Sequence, residues 1–173
     1  MPRRAVLTIA ATLVVALALT ALAAARTVDV PTRLSAVIPK AHDSGLVVLL
    51  PDTINLDYKS TGKVYAQGDG DKRIGTYTLE LSGAKDCGGA NACFLAEFLG
   101  AKGAKLGYKT TNVKLALGMK GHYQPLSCGA SCSPQSIAWV QKGVRYEIQA
   151  KALGGKKAFV KMANSAITAG NRK

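Results

Sequence analysis

The four cysteines are the residues whose spacing most restricts the chemistry of this chain. Five residues separate Cys87 from Cys93, and three separate Cys128 from Cys132. Structural zinc sites use gaps of about two to four residues in both halves of the ligand set, and redox pairs are spaced C-x-x-C, so neither chemistry fits. The chain is expected to be exported, and an even number of cysteines in an exported chain favours disulfides. Four cysteines permit three pairings, of which we expect the two local ones, Cys87–Cys93 and Cys128–Cys132.

The two histidines, His42 and His122, are the candidates for a catalytic base. His42-Asp43-Ser44 holds the three residue types of a serine triad, but folding brings triad members together and adjacent side chains rarely converge. The nucleophile motif G-x-S-x-G does not occur in the sequence. A pocket formed by His122, Tyr123 and Glu97 is an alternative that the sequence leaves open. We therefore expect no catalytic residue, and a small exported hydrolase with an unrecognised active site is the alternative.

Two other segments match cofactor-binding motifs only in part. Asp69-Gly70-Asp71 has the acidic residues of a calcium loop, but Arg73 lies where the EF-hand pattern needs a further ligand. Residues 68–71 are therefore predicted to form a hairpin turn. Residues 103–110 contain glycine and lysine, yet they lack the G-x-x-x-x-G-K-[ST] spacing of a phosphate loop. The sequence predicts neither a metal site nor a cofactor.

The charge distribution is the strongest signal for binding. Residues 43–97 hold eight acidic and five basic residues, a net charge of −3, whereas residues 98–173 hold one acidic and thirteen basic residues, a net charge of +12. This asymmetry favours contact with an anionic polymer, a lipid head group or an acidic protein. Arginine, which suits bidentate phosphate recognition, is scarce, so no specific nucleic-acid role is expected. The candidate ligand-binding residues are Lys102, Lys105, Lys109, Lys114 and Lys120. Lysine that merely keeps an exported protein soluble would produce the same pattern, and this alternative stays open.

The apolar pattern predicts a scaffold of strands followed by a helix. Residues 46–50 form an apolar run that Pro51 ends, which indicates a buried strand. Gln141-Lys142-Gly143 is predicted to join two strands as a hairpin, with the glycine available for a positive φ. Alternation with a period of two predicts further strands in residues 63–67, 74–81, 93–99 and 113–117. In the last segment, apolar residues recur at helical spacing before a stop at Gly170: Phe159, Met162, Ala163, Ala166 and Ile167. The result is an α+β fold, a meandering antiparallel sheet packed against a C-terminal helix.

The N-terminal residues indicate export. Arg3 and Arg4 precede 21 uncharged residues that end in the cleavage patterns Ala21-Leu22-Ala23 and Ala23-Ala24-Ala25, so residues 1–25 are predicted to be a signal peptide. An uncleaved anchor is the alternative, because about 20 apolar residues in a helix span a bilayer, and membrane anchoring is expected only in that case. Residues 26–44 contain two prolines without periodicity and are predicted to be a linker or extended arm. Residues 45–173 then form a single domain that is periplasmic or secreted.

Residues 137–170 carry a resemblance to known domains. The Trp139 strand, the Gly143 turn, the Tyr146 strand and the helix with Met162-Ala163-Asn164-Ser165-Ala166-Ile167 resemble the end of domains of unknown function from exported or membrane-tethered bacterial proteins. Those domains are similar to one half of the lipoprotein-carrier-like β-sheet superfamily, although the cysteine loops are not part of its pattern. The resemblance implies a non-catalytic binding or sensing module at the cell envelope. A structural or sensory domain that pairs with another protein through a sheet edge is a further alternative.

Overall fold

The computed structural model describes residues 26–57, 63–88 and 90–173, so the predicted signal peptide lies outside the described residues. In chain order the elements are β1 (Arg26–Asp29), α1 (Val30–Leu34), α2 (Ile38–His42), β2 (Thr53–Leu56), β3 (Tyr65–Asp71), β4 (Thr76–Ser82), β5 (Phe94–Lys102), β6 (Val113–Lys114), β7 (Lys120–Gln124), β8 (Ser127–Cys128), β9 (Cys132–Ser133), β10 (Gln135–Gln141), β11 (Val144–Ala150) and α3 (Gly155–Ala169). Seven strands form one antiparallel sheet in the order β3-β4-β5-β11-β10-β7-β6, while β1 pairs with β2 and β8 with β9.

The core lies on the inner face of the large sheet, the face against which α2 and α3 pack. Tyr77, Leu79 and Leu81 alternate along β4 and are all buried, as their spacing predicts. The predicted apolar stripe of α3 is also buried, and the rings of Phe159 and Tyr123 lie 5.6 Å apart between α3 and β7. Burying one such phenylalanine contributes about 2–3 kcal/mol. The predicted α+β architecture is therefore confirmed.

Residues 26–44 differ from the expected linker or extended arm. They form β1, α1 and α2, and Val30 and Leu34 are buried in the core. Pro31 and Pro39 lie in the first turns of α1 and α2, where the fixed φ suits the helix and the missing N–H costs nothing. The prolines thus begin helices. Each helix is only five residues long, too short for an apolar periodicity to be recognised.

Residues 46–50 enter the core without forming the predicted strand. Three of them are buried, but the segment makes only an isolated bridge at Leu49 within the described part of the chain. The backbone N–H and C=O groups of this segment form hydrogen bonds with side chains instead. The Leu49 N–H donates to the Tyr77 hydroxyl at 3.2 Å, and the Tyr146 hydroxyl donates to the Val47 carbonyl at 3.2 Å. The apolar run correctly indicates burial, but the partner groups come from residues that are distant in sequence.

The predicted turn at residues 68–71 is wrong, because these residues belong to β3 and the turn follows at residues 72–75. The two glycines are required for a different reason. A Cβ at Gly68 would lie 2.5 Å from the Leu79 side chain, and a Cβ at Gly70 would lie 2.4 Å from the Lys40 carbonyl oxygen. Glycine inside a strand often marks such a close approach. Here it lets the backbone of α2 cross β3.

Two connections use positive φ at a residue other than glycine. Lys142 (φ 50°) and Gly143 (φ 75°) form the two-residue turn of the predicted β10–β11 hairpin, which is confirmed. The strand predicted at residues 113–117 is shorter than expected. It ends with β6 at Lys114, and a 3₁₀ turn, Ala116–Gly118, follows with Leu117 at φ 55°.

Both expected disulfides are present, Cys87–Cys93 and Cys128–Cys132. The two loops touch, because Asn91 Nδ2 donates to the Cys132 carbonyl at 3.0 Å. The local pairing predicted from the spacing is confirmed. None of the helices in the described ranges has the length and apolarity needed to cross a membrane.

Candidate functional site

The outer face of the large sheet, opposite the face that packs against α2 and α3, carries a cluster of carboxylates. Side chains alternate between the two faces along each strand, and the register brings polar residues of neighbouring strands together. Glu80 of β4 lies opposite Glu97 of β5, and Glu97 lies opposite Gln149 of β11. Glu147 lies two residues before Gln149 in β11, on the same face of the sheet. Glu80, Glu97 and Glu147 are called the carboxylate cluster below.

Arg145 provides the positive charge of this cluster. Its guanidinium contacts one carboxylate oxygen of Glu147, and Gln149 Nε2 donates to the other at 3.2 Å. Glu147 is only 5% exposed, and an unpaired carboxylate at such a site would cost several kcal/mol. A Cβ at Gly107 would lie 3.9 Å from Arg145 Cζ, so the loop of residues 103–112 passes over this pair. The ion pair is therefore held between β11 and the loop.

Burial and repulsion together disfavour ionisation in the cluster. Burial raises the pKa of Glu97 above its ordinary value, and the charges of Glu80 and Glu147 raise it further. Burial also raises the pKa of Glu80, whose Oε1 has no hydrogen-bond partner among the described residues. The cluster can therefore take up protons as the pH falls. Across residues 26–57, 63–88 and 90–173, no group of three or more His, Cys, Asp or Glu is arranged to hold a metal ion.

The pocket of His122, Tyr123 and Glu97 that the sequence left open is not assembled. His122 lies on the outer face, where its ring stacks on Tyr108 at 3.9 Å and Nδ1 lies 2.7 Å from the Thr110 carbonyl oxygen. Tyr123 lies on the inner face against α3. Glu97 is three strands from His122, about 14 Å at the usual strand spacing. His122 serves to hold the loop of residues 103–112 on the sheet.

The His42-Asp43-Ser44 segment does not form a triad either. His42 Nε2 lies 2.7 Å from the Arg172 carbonyl oxygen, and the Ser44 hydroxyl donates to the Ala41 carbonyl at 2.6 Å. Asp43 is exposed. Each polar group therefore has a local structural partner, and the serine oxygen is not directed towards the histidine.

The five candidate lysines are all exposed, but the backbone brings only two of them together. Lys114 and Lys120 are direct cross-strand partners in β6 and β7. Lys102 ends β5, and Lys105 and Lys109 lie in the loop of residues 103–112. The three ion pairs within the described ranges all use arginine: Arg73–Asp71, Arg145–Glu147 and Arg172–Asp52. The lysine charges therefore face solvent and are not neutralised by an adjacent carboxylate in this part of the chain.

The strand order converts the charge asymmetry of the sequence into one across the sheet. β3, β4 and β5 form one side and carry the acidic residues Asp69, Asp71, Glu80 and Glu97. β11, β10, β7 and β6 form the other side, where Glu147 is the one acidic residue and is paired with Arg145. The two regions of opposite net charge thus lie mainly on different sides of the sheet, although Lys102 ends β5 on the acidic side.

Two features of this surface are not among the sequence-based predictions. The carboxylate cluster joins β4, β5 and β11, and Glu80 and Glu147 lie 67 positions apart in the chain, so only the strand pairing reveals it. Lysines on α3 were not among the candidates: Lys156, Lys157 and Lys161. The spacing of Lys157 and Lys161, one helical turn apart, could have identified a shared side.

Comparison of the chain with family models, with curated protein sequences and with solved structures finds no match. The resemblance of residues 137–170 to exported domains of the lipoprotein-carrier-like superfamily therefore stays a prediction that these comparisons do not support.

Proposed function

We propose that this protein is a non-catalytic binding module, secreted or located in the cell envelope, and that its basic part contacts an anionic partner. The separation of charge across the sheet carries the proposal: residues 98–173 have a net charge of +12, and the candidate lysines are exposed without a carboxylate partner in the described chain. The two disulfides are compatible with an oxidising compartment.

Lysine determines what kind of partner fits. Its ammonium is a mobile point charge, which suits a polymer or surface of repeated negative charge better than a single planar anion. Exposed charges are screened over about 8 Å at physiological ionic strength, so lysines act together only when they lie close to one another. The partner is therefore an anionic component that contacts several lysines at once.

Titration of the exported protein with heparin at low and physiological salt tests this proposal. Binding is expected to weaken steeply with salt, because each neutralised charge releases counterions. The Lys114→Gln, Lys120→Gln variant, which removes the cross-strand lysine pair, is expected to lower the slope of log affinity against log salt by about one per engaged lysine.

The matched control is Lys63→Gln, Lys85→Gln, which removes the same charge from exposed positions before residue 98. This control is expected to keep the affinity for heparin. If the first variant bound as well as the native protein, or if nothing bound at low salt, the lysines would serve only solubility.

A further inference from the structure

A groove of about 570 Å³ runs along the solvent side of α3. Leu153, Ala158 and Val160 give it an apolar floor. Lys157 and Lys161 line it one helical turn apart. It extends from the start of the helix to Asn164, and Asn55 of β2 lies at its side. The groove thus combines apolar surface with two positive charges.

An exposed leucine lies beside the end of this groove. Asn164 Oδ1 accepts a hydrogen bond from the Ala116 N–H at 2.7 Å, which fixes the 3₁₀ turn against α3. The next residue, Leu117, is 76% exposed. Its φ of 55° is unfavourable for a residue with a Cβ, so the turn holds an apolar side chain in solvent at a conformational cost. Strained residues of this kind often mark functional positions.

The charges on α3 and on the strands that flank the 3₁₀ turn are positive, whereas Asp57 is an exposed carboxylate on the β2 side, two residues after Asn55. Lys114 and Lys120 flank the 3₁₀ turn as a cross-strand pair. No acidic residue occurs in residues 148–173. Asp52, on the β2 side of α3, contacts Arg172 and accepts a hydrogen bond from the Ser165 hydroxyl at 2.7 Å. A partner that covers the groove therefore meets apolar surface and uncompensated lysine.

The N-terminal end of the described chain also lies beside the groove. The Thr27 hydroxyl donates to Asn55 Oδ1 at 2.8 Å, and Asn55 lines the groove. The apolar segment of residues 5–25 joins the described residues at Arg26, directly before Thr27.

We propose that the α3 surface, defined by Leu117, Leu153, Lys157, Val160 and Lys161, rests on an anionic phospholipid bilayer. This inference rests on the proposed function and names its partner. Leu117 inserts at the boundary between head groups and acyl chains, and the lysines contact lipid phosphates. Apolar residues on one side of a rigid element, with lysines around them, are the features that bind such an interface.

Flotation of the exported protein with vesicles of equimolar phosphatidylglycerol and phosphatidylcholine tests the proposal, with pure phosphatidylcholine vesicles as the neutral comparison. Lys157→Gln, Lys161→Gln is expected to weaken binding to the anionic vesicles roughly 25-fold, about fivefold per lysine. Leu117→Ser is expected to weaken it about tenfold. Leu126→Ser is the matched control, because Leu126 is 58% exposed beyond the other end of β7 and is expected to leave binding unchanged.

The outcomes separate this inference from the proposed function. Salt-dependent binding to heparin without binding to the anionic vesicles would contradict the proposed bilayer contact but not the proposed binding module. Binding to neither at low salt would overturn both. Vesicle binding that survives in Lys157→Gln, Lys161→Gln would assign the membrane contact to another face. An oligomer that Leu117→Ser dissociates would assign the α3 surface to a second copy of the chain.

Discussion

Gly70 lies near the end of β3, where α2 crosses the strand and main-chain atoms of the two elements come into contact. A Cβ there would lie 2.4 Å from the Lys40 carbonyl oxygen and 2.8 Å from that of Ala41. These are backbone atoms, which cannot rotate away as a side chain can. One absent methyl group thus determines how closely α2 approaches the sheet.

Gly70→Ala is therefore expected to lower the free energy of unfolding by about 1–3 kcal/mol, the usual cost of overpacking. Urea denaturation followed by circular dichroism measures the change. Gly129→Ala is the matched control, because no heavy atom lies within 4 Å of its Cβ position and its φ is not in the left-handed region. It is expected to change the stability by less than about 0.5 kcal/mol. Equal effects of both substitutions would show that α2 moves away at no cost.

At the scale of elements, each disulfide loop lies between strands that are consecutive in the chain, and the two loops contact each other. The Cys87–Cys93 loop precedes β5, and Cys128–Cys132 joins β8 to β9. Asn91 links the two loops through the Cys132 carbonyl, and the Lys151 ammonium contacts the Asn91 carbonyl. The two disulfide loops therefore lie together, next to the C-terminal end of β11.

Removal of the first disulfide in Cys87→Ala, Cys93→Ala is expected to lower the free energy of unfolding by about 2 kcal/mol. The reason is that the cross-link restricts the unfolded chain, and a short loop restricts it modestly. Thermal and urea unfolding of the variant and of the native protein measure the loss. The Cys128–Cys132 disulfide closes a similarly short loop, so its removal in Cys128→Ala, Cys132→Ala is expected to cost a similar amount. A loss close to zero would contradict the entropic explanation.

At the scale of the whole molecule, two groups of carboxylates change the free energy of unfolding in opposite directions as the pH changes. Burial raises the pKa of Glu97 and of Glu80, so their ionisation disfavours the folded state. The hydrogen bond from Ser165 and the neighbouring Arg172 lower the pKa of Asp52, so its ionisation favours the folded state. The contribution of Glu97 is present below its ordinary pKa of 4.5 and is lost as the pH rises through the raised value. That of Asp52 is present above 3.8 and is lost at lower pH.

The free energy of unfolding is therefore expected to rise as the pH falls from neutral towards 4.5, and to decline below 3.8. Glu97→Gln is expected to stabilise the protein at neutral pH and to flatten the rise, because it removes one charge that faces Glu80 and Glu147. Urea denaturation across this pH range measures both effects. Asp69→Asn removes an exposed carboxyl on the same side of the sheet, outside the carboxylate cluster, and is the control for the loss of one negative charge. A native profile that falls steadily from neutral pH would contradict this account.

The features that the sequence alone determines depend on residues that lie only a few positions apart in the chain. The apolar spacing in α3, the turn at Lys142 and Gly143 and the two disulfide loops were all predictable for this reason. The charge asymmetry is a property of how the charged residues are distributed along the sequence, and it can be read without knowledge of the fold. Each of these features follows from local geometry or from the number of charged residues in each part of the sequence.

Tertiary structure decided the features that depend on contacts between distant residues. Residues 68–71 contain turn-forming residues, yet they form a strand because α2 crosses them and needs glycine. Residues 26–44 enter the core because the inner face of the sheet has apolar surface for their helices to cover. The carboxylate cluster and the position of Leu117 beside α3 likewise depend on strand register and on one hydrogen bond from Ala116 to Asn164. Local sequence constrains the conformations of a segment, but only the packing of the whole chain selects its partners, because the burial that stabilises them comes from residues far apart in sequence.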